Sequence, residues 1–293
     1  MVETTTIVTM GSILATSILG VIIALIVMVK RYKEKGVLAC FFYGLLTFFA
    51  AQYTLRLPLL NAISTVSGFD DLVENHYVIY ILFLALVTAG FELFARWFVL
   101  KVFLKGKITY SKAFSAGFGH GAVELLVVIG YTMMGNIFSS VLLNEGMLNE
   151  LMLESGETQA NIDSVVDALV HVNVNEYYIQ LMQQVFVLIT QIGLTVLLAY
   201  FILQGKQQLG MMVTLLIHTA INFGSGVING LAGDSLGNVL SDTTASILYL
   251  GYVGIFVIAT GQFIRFAAFK MNKRAEELGY RGSVKKQFPK FNK

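Results

Sequence analysis

Seven apolar stretches, each long enough to cross a bilayer, run through this chain and constrain its fold more than any other feature. A spanning helix needs about 20 predominantly apolar residues. The stretches cover residues 7–29, 36–56, 77–100, 113–143, 178–203, 210–231 and 244–269. Composition agrees, with 56% hydrophobic residues, 13% charged residues and a mean hydropathy of +0.72. A soluble domain carries about 25% charged residues, so this chain has too little polar surface to cover a core of its size. The expected fold is all-α: a polytopic membrane bundle over residues 1–269 and a basic tail over 270–293. The single cysteine, Cys40, excludes an internal disulfide framework and a cysteine-rich zinc module. The first stretch follows Glu3 rather than a basic segment and is too long for a signal-peptide core.

Charge placement sets the expected orientation. Eighteen of the 20 lysines and arginines lie at the ends of the first, third, fifth and seventh stretches or follow them, which is one side of a seven-span bundle. The other side holds Glu3, Asp70, Asp71, Glu74, the acidic 144–177 loop, Asp234 and Asp242, with no lysine. The positive-inside rule then puts the amino terminus outside and the carboxyl terminus in the cytoplasm of a multi-pass cell-membrane protein. The tail is expected to sit on anionic lipids of the inner leaflet. The net charge of +2 gives no reason to expect a nucleic-acid partner. In the 144–177 loop, Ile162, Val165, Val166, Leu169 and Val170 recur at helical spacing, as expected of a helix lying on the outer leaflet.

Five charged residues fall inside the stretches, of which Arg265 lies at the basic end of the last. Arg56 sits at the expected outer end of the second and can snorkel to water. Glu92, Arg96 and Glu124 cannot be moved out without destroying the third and fourth. An ionised side chain near the bilayer centre costs roughly 2.5–3.5 kcal/mol even on insertion scales, and such residues usually mark functional sites. His120 and His218 lie equally deep. The buried polar residues form three i, i+4 pairs: Glu92 with Arg96, His120 with Glu124, and His218 with Asn222. Each pair occupies one helix face. Counted from the basic ends at 1.5 Å per residue, all three lie roughly 12–14 Å deep. One pair alone is also what helix packing uses, as an ion pair or as polar glue between helices. Three at one depth form a constellation.

Two imidazoles and a carboxylate match a catalytic zinc site with an open position for water. Here those ligands are His120, Glu124 and His218. Glu92, supported by Arg96, is then the general base, and Asn222 donates to a developing oxyanion. A metal-free version has Glu92 and His120 activate water while His218 and Asn222 stabilise the oxyanion. Both hydrolyse a peptide bond at a site opening toward the cytoplasmic half of the bilayer. The alternative from another class is a proton- or ion-coupled transporter using the same buried groups.

The segments Gly90–Arg96 (GFELFAR), Gly117–Glu124 (GFGHGAVE) and His218–Asn222 (HTAIN) resemble motifs of the YhfC family of intramembrane metalloproteases. That family is placed within the CAAX prenyl endopeptidase and bacteriocin-processing superfamily. Phe91 and Ala116 depart from the prenyl-protease pattern, and Gly119–His120–Gly121 followed by Glu124 is closer to the YhfC branch. The resemblance implies that Glu92 is the catalytic glutamate, Arg96 its partner, His120 and His218 the two histidines and Asn222 the asparagine. It also implies an intramembrane protease acting on a membrane-embedded or membrane-associated peptide.

Overall fold

The computed structural model describes residues 1–279, and it contains no strand among them. Five of the eight basic residues of the tail on which its expected lipid contact rests, Arg281, Lys285, Lys286, Lys290 and Lys293, lie outside the described residues. Among the described residues, seven helices are long and apolar enough to cross a membrane: α1 (Thr4–Tyr32), α2 (Val37–Ser64), α3 (Tyr77–Phe103), α4 (Tyr110–Asn144), α5 (Asn175–Leu203), α6 (Gln207–Ala232) and α7 (Asp242–Glu277). The protein is a multi-pass, all-helical membrane protein.

Side-chain contacts at the helix ends fix an antiparallel arrangement with two distinct faces. On one face, the Val2 amide donates to Asn144 Oδ1 at 2.8 Å, joining the amino terminus to the end of α4. On the same face Glu176, at the start of α5, accepts from Thr243 and Ser246 at the start of α7. This is called the amino-terminal face below. On the opposite face, Glu34 in the α1–α2 turn accepts from Thr109 Oγ1 at 2.9 Å and from Ser111, and lies 3.7 Å from Lys112 Nζ. Thr109 itself caps α4 by accepting from the Lys112 amide.

Small residues let the backbones approach, as bilayer bundles require where no hydrophobic effect drives helices together. A Cβ on Gly44 of α2 would overlap the Ala116 carbonyl of α4, and one on Gly119 would overlap the Phe41 carbonyl of α2. Gly117 and Gly121 turn toward α5, where a Cβ would meet Ile192 Cα at 2.8 Å and Leu188 Cα at 3.0 Å. On α6, Gly226 and Gly230 receive Ile81 and Tyr77 of α3. α4 is therefore the central helix, and every residue from Ser115 to Val123 is buried. Large apolar side chains on α1 and α7, among them Ile23 and Ile258, face outward, as lipid contact demands.

Two local features differ from the sequence expectation. The second apolar stretch was expected to end at residue 56, but α2 continues to Ser64. Its segment Ala50–Arg56 is π-helical, just before Pro58 enters the following α-helical turn. Proline removes a backbone donor, and widening the turn before it accommodates that loss. The 144–177 loop forms two short helices, Leu148–Glu154 and Gln159–Val170. The apolar face of the second helix packs on the protein itself, whereas Leu151 and Leu153 of the first are exposed. Leu148 and Leu169 cluster with Val2, and Ile7, Leu142, Val165, Val166 and Val170 pack around them.

Candidate metal and catalytic centre

Glu92 is the hub of a buried polar cluster built from five helices. Its Oε2 lies 3.0 Å from Arg96 Nη2, one turn along α3. The same oxygen is 3.0 Å from His120 Nε2 of α4, 3.1 Å from Gln191 Nε2 of α5 and 3.6 Å from His218 Nε2 of α6. Its Oε1 accepts from Gln52 Nε2 of α2 at 2.7 Å. Glu92 and Arg96 are each 2% exposed, so their charges must be compensated locally. The structure thus brings together Glu92, Arg96, His120 and His218 from three helices. Asn222, one turn beyond His218, lines a cavity beside them.

Glu124, one turn beyond His120, accepts from Gln191 Nε2 at 2.6 Å. The Gln191 amide therefore joins both carboxylates, while its Oε1 accepts from Arg96 Nη2. Gly121 makes this possible, because a Cβ there would crowd Gln191 Cβ at 3.1 Å. Sequence reasoning passed over Gln191 and Gln52. Neither carries a charge, so neither registers as an anomaly in an apolar run. Arg56, expected at the membrane surface, instead turns inward. It donates to Gln52 Oε1 and, at 3.2 Å, to Thr88 Oγ1, which makes it an outer support of the cluster. The π-helical segment contains both Gln52 and Arg56.

The His120 ring is set by packing as well as by Glu92. Phe48 meets it edge-on with centroids 4.7 Å apart. Nε2 donates to Glu92 when it carries the proton, and the Arg96 guanidinium lies 3.4 Å from the same nitrogen.

A cavity of about 410 Å³ adjoins the cluster. His218, Asn222, Gln191 and Glu124 line its deep end. From there it runs past Thr88, Tyr80 and Tyr77 of α3, Gln184 of α5, Asn229 of α6 and Tyr249 of α7. These residues lie toward the ends of α3, α5 and α7 that begin on the amino-terminal face. The cavity thus extends away from the basic side, opposite to the cytoplasmic opening expected from sequence. Depth counting located the polar level but could not tell on which side of it the helices splay.

Three side chains offer converging ligand atoms for a cation. One atom each from Glu92, His120 and Glu124 lies within 4.8 Å of the others. Ligands about 2.0–2.2 Å from one tetrahedral ion lie roughly 3.3–3.6 Å apart, so the three side chains would have to draw together to hold one ion. Two carboxylates and an imidazole are a suitable donor set for a divalent ion. Of the expected ligands His120, Glu124 and His218, the first two belong to the converging group. His218 reaches the same place through Glu92 Oε2 and keeps its Nδ1 buried without a hydrogen-bond partner among the described residues.

A buried Glu–His–Glu group beside a polar cavity, inside a seven-helix membrane bundle, defines the class of protein: a membrane-embedded protein with a possible metal centre. The model of the family described as YhfC intramembrane metalloprotease matches residues 16–232, and the chain belongs to that family. It is 25% identical over 200 residues to a protein of Bacillus subtilis (strain 168) whose printed name is "Uncharacterized membrane protein YhfC". That match covers 68% of this chain and 76% of the relative. No solved structure matches.

Proposed function

We propose that this protein is an intramembrane endopeptidase that hydrolyses a peptide bond of a membrane-associated polypeptide. The observation that carries the reading is the convergence of Glu92, His120, Glu124 and His218 at the closed end of a cavity also lined by Asn222. A structural ion pair would need no such cavity. Buried charges beside one are what a reaction in a low-dielectric site requires.

Glu92, His120 and Glu124 would hold the ion, with zinc the candidate on their chemistry. When bound, it would lower the pKa of a coordinated water toward ~7 and polarise a carbonyl. The chain's own groups divide the remaining work. Glu124 is the carboxylate that lines the cavity, whereas Glu92 is engaged at both oxygens behind it. This favours Glu124, through the carboxylate oxygen that the ion would not use, rather than the Glu92 expected from sequence, as the group that takes the attacking water's proton and returns it to the leaving nitrogen. His218 and Asn222 stand where a scissile carbonyl would enter and stabilise its developing negative charge by hydrogen bonding. Arg96 and Gln191 hold Glu92 aligned by donating hydrogen bonds to its carboxylate.

The test uses purified protein in lipid nanodiscs, measuring metal content and cleavage of quenched apolar peptides in the same preparation. The expected result is one bound divalent ion per chain and cleavage that Glu124→Gln abolishes. Absence of cleavage, with ion flux in liposomes that survives loss of His120 and His218, would support a transporter instead.

A further inference from the structure

The cavity that reaches the site sets tyrosines and amides among apolar walls and carries no basic side chain, and this combination selects a ligand. Three tyrosines, Tyr77, Tyr80 and Tyr249, line it between mouth and site, and no lysine or arginine does. At Asn229 it meets a second cavity of about 360 Å³, lined by Gln183, Asp242 and Ser246. Ser246 also holds Glu176, so two carboxylates stand at this mouth. The surrounding loops strengthen the same sign. Residues 57–76, 144–177 and 232–243 contain no lysine or arginine and carry many acidic residues. No lysine or arginine of these segments offsets the charge of the mouth.

Acidic residues alone do not make a site. Here a second observation points inward to a ligand. His218 is 3% exposed, lines the deep end and has a buried Nδ1 without a partner among the described residues. Gln184 Oε1, partway along, is likewise buried without one. A polar atom left unpaired at membrane depth is costly, and a chain of amide groups entering the cavity would supply both partners. Tyrosine faces attract cations, and the carboxylates add long-range attraction where the mouth meets water.

We propose that the cavity takes a cationic polypeptide segment presented at the amino-terminal face. Its lysine or arginine side chains lie against the tyrosines and the Asp242–Glu176 mouth, and its backbone reaches His218. This names the substrate class for the endopeptidase reading and rests on that reading for its cleavage step. Its binding step does not.

Two quenched peptides with one apolar centre, flanked by lysines in one and by glutamates in the other, test it. Binding is measured on Glu124→Gln protein in nanodiscs and cleavage on the unaltered protein. The lysine-flanked peptide is expected to bind about tenfold more tightly, the scale of two partly screened ion contacts. The preference should shrink at high salt and narrow in the Asp242→Asn/Glu176→Gln double variant. Glutamine at 176 keeps an acceptor for Thr243 and Ser246, and the unaltered protein gives the charge comparison even if the variant folds poorly. In sealed proteoliposomes, binding should occur only where an amino-terminal tag is accessible from the side of peptide addition. Equal binding of both peptides, or binding from the basic side, overturns the inference. Cleavage without charge preference overturns it while leaving the endopeptidase reading intact. Selective binding of the lysine peptide without cleavage supports it and counts against that reading.

Discussion

His120 Nε2 and Glu92 Oε2 meet at 3.0 Å although they come from different helices and lie 28 positions apart in the chain. That contact depends on how closely α4 can approach its neighbours. Gly119, the residue before His120, packs against the Phe41 carbonyl of α2. Gly119→Ala should push the two backbones apart and move the imidazole off the carboxylate. The expected cost is about 1–3 kcal/mol, typical of overpacking, together with loss of metal retention. Gly130→Ala on the same helix meets nothing within 4 Å and is the control. Thermal unfolding in detergent, with metal analysis, separates the two.

Glu92 and Arg96 should show the asymmetry of a buried pair. Glu92→Ala leaves the guanidinium buried without its carboxylate, at a cost of about 3–5 kcal/mol. Glu92→Ala combined with Arg96→Met removes both charges and should recover much of that stability but no activity. A double-mutant cycle on unfolding midpoints measures it. Independent, additive losses would show that the pair is not coupled.

Gln191 donates to both Glu92 and Glu124, so Gln191→Leu should fill the space yet release both carboxylates. Residues that orient metal ligands typically matter 10–100-fold in affinity or activity. A loss of about that size in metal affinity is the expected result, with a lower unfolding temperature because buried charged groups lose their partner. Gln191→Glu should be worse, since it replaces the shared donor by a third carboxylate.

How far the sequence reaches is clear from these residues. Seven spans follow from hydropathy because bilayer thickness sets helix length. Glu92, Arg96, His120, Glu124 and His218 stand out because charged and ionisable groups are conspicuous in apolar runs. The two glutamines are silent by the same logic. Arg56 was placed at the surface because the π-helical stretch around it leaves no mark on hydrophobic periodicity. The amphipathic Gln159–Val170 helix was read as facing lipid, since periodicity shows that a face is apolar but not what covers it. The division of roles between Glu92 and Glu124 depends on which carboxylate faces the cavity, and no spacing rule encodes that.

Removal of the ion tests the donor set itself. A chelator should abolish peptide cleavage, and added zinc should restore it in the unaltered protein. Glu92→Gln, His120→Ala and Glu124→Gln should each retain less metal. His218→Ala should retain nearly all of it yet lose turnover, because His218 is assigned to the carbonyl rather than to the ion.

The central claim is that this cluster hydrolyses peptide bonds within the membrane. It is tested most directly by sequencing new amino termini in membrane vesicles incubated with purified protein, either unaltered or carrying Glu124→Gln. The account predicts a reproducible set of new termini near membrane-spanning segments with the unaltered protein and their absence with the variant. The same set with both proteins, or none with the unaltered protein at full metal occupancy, would contradict it.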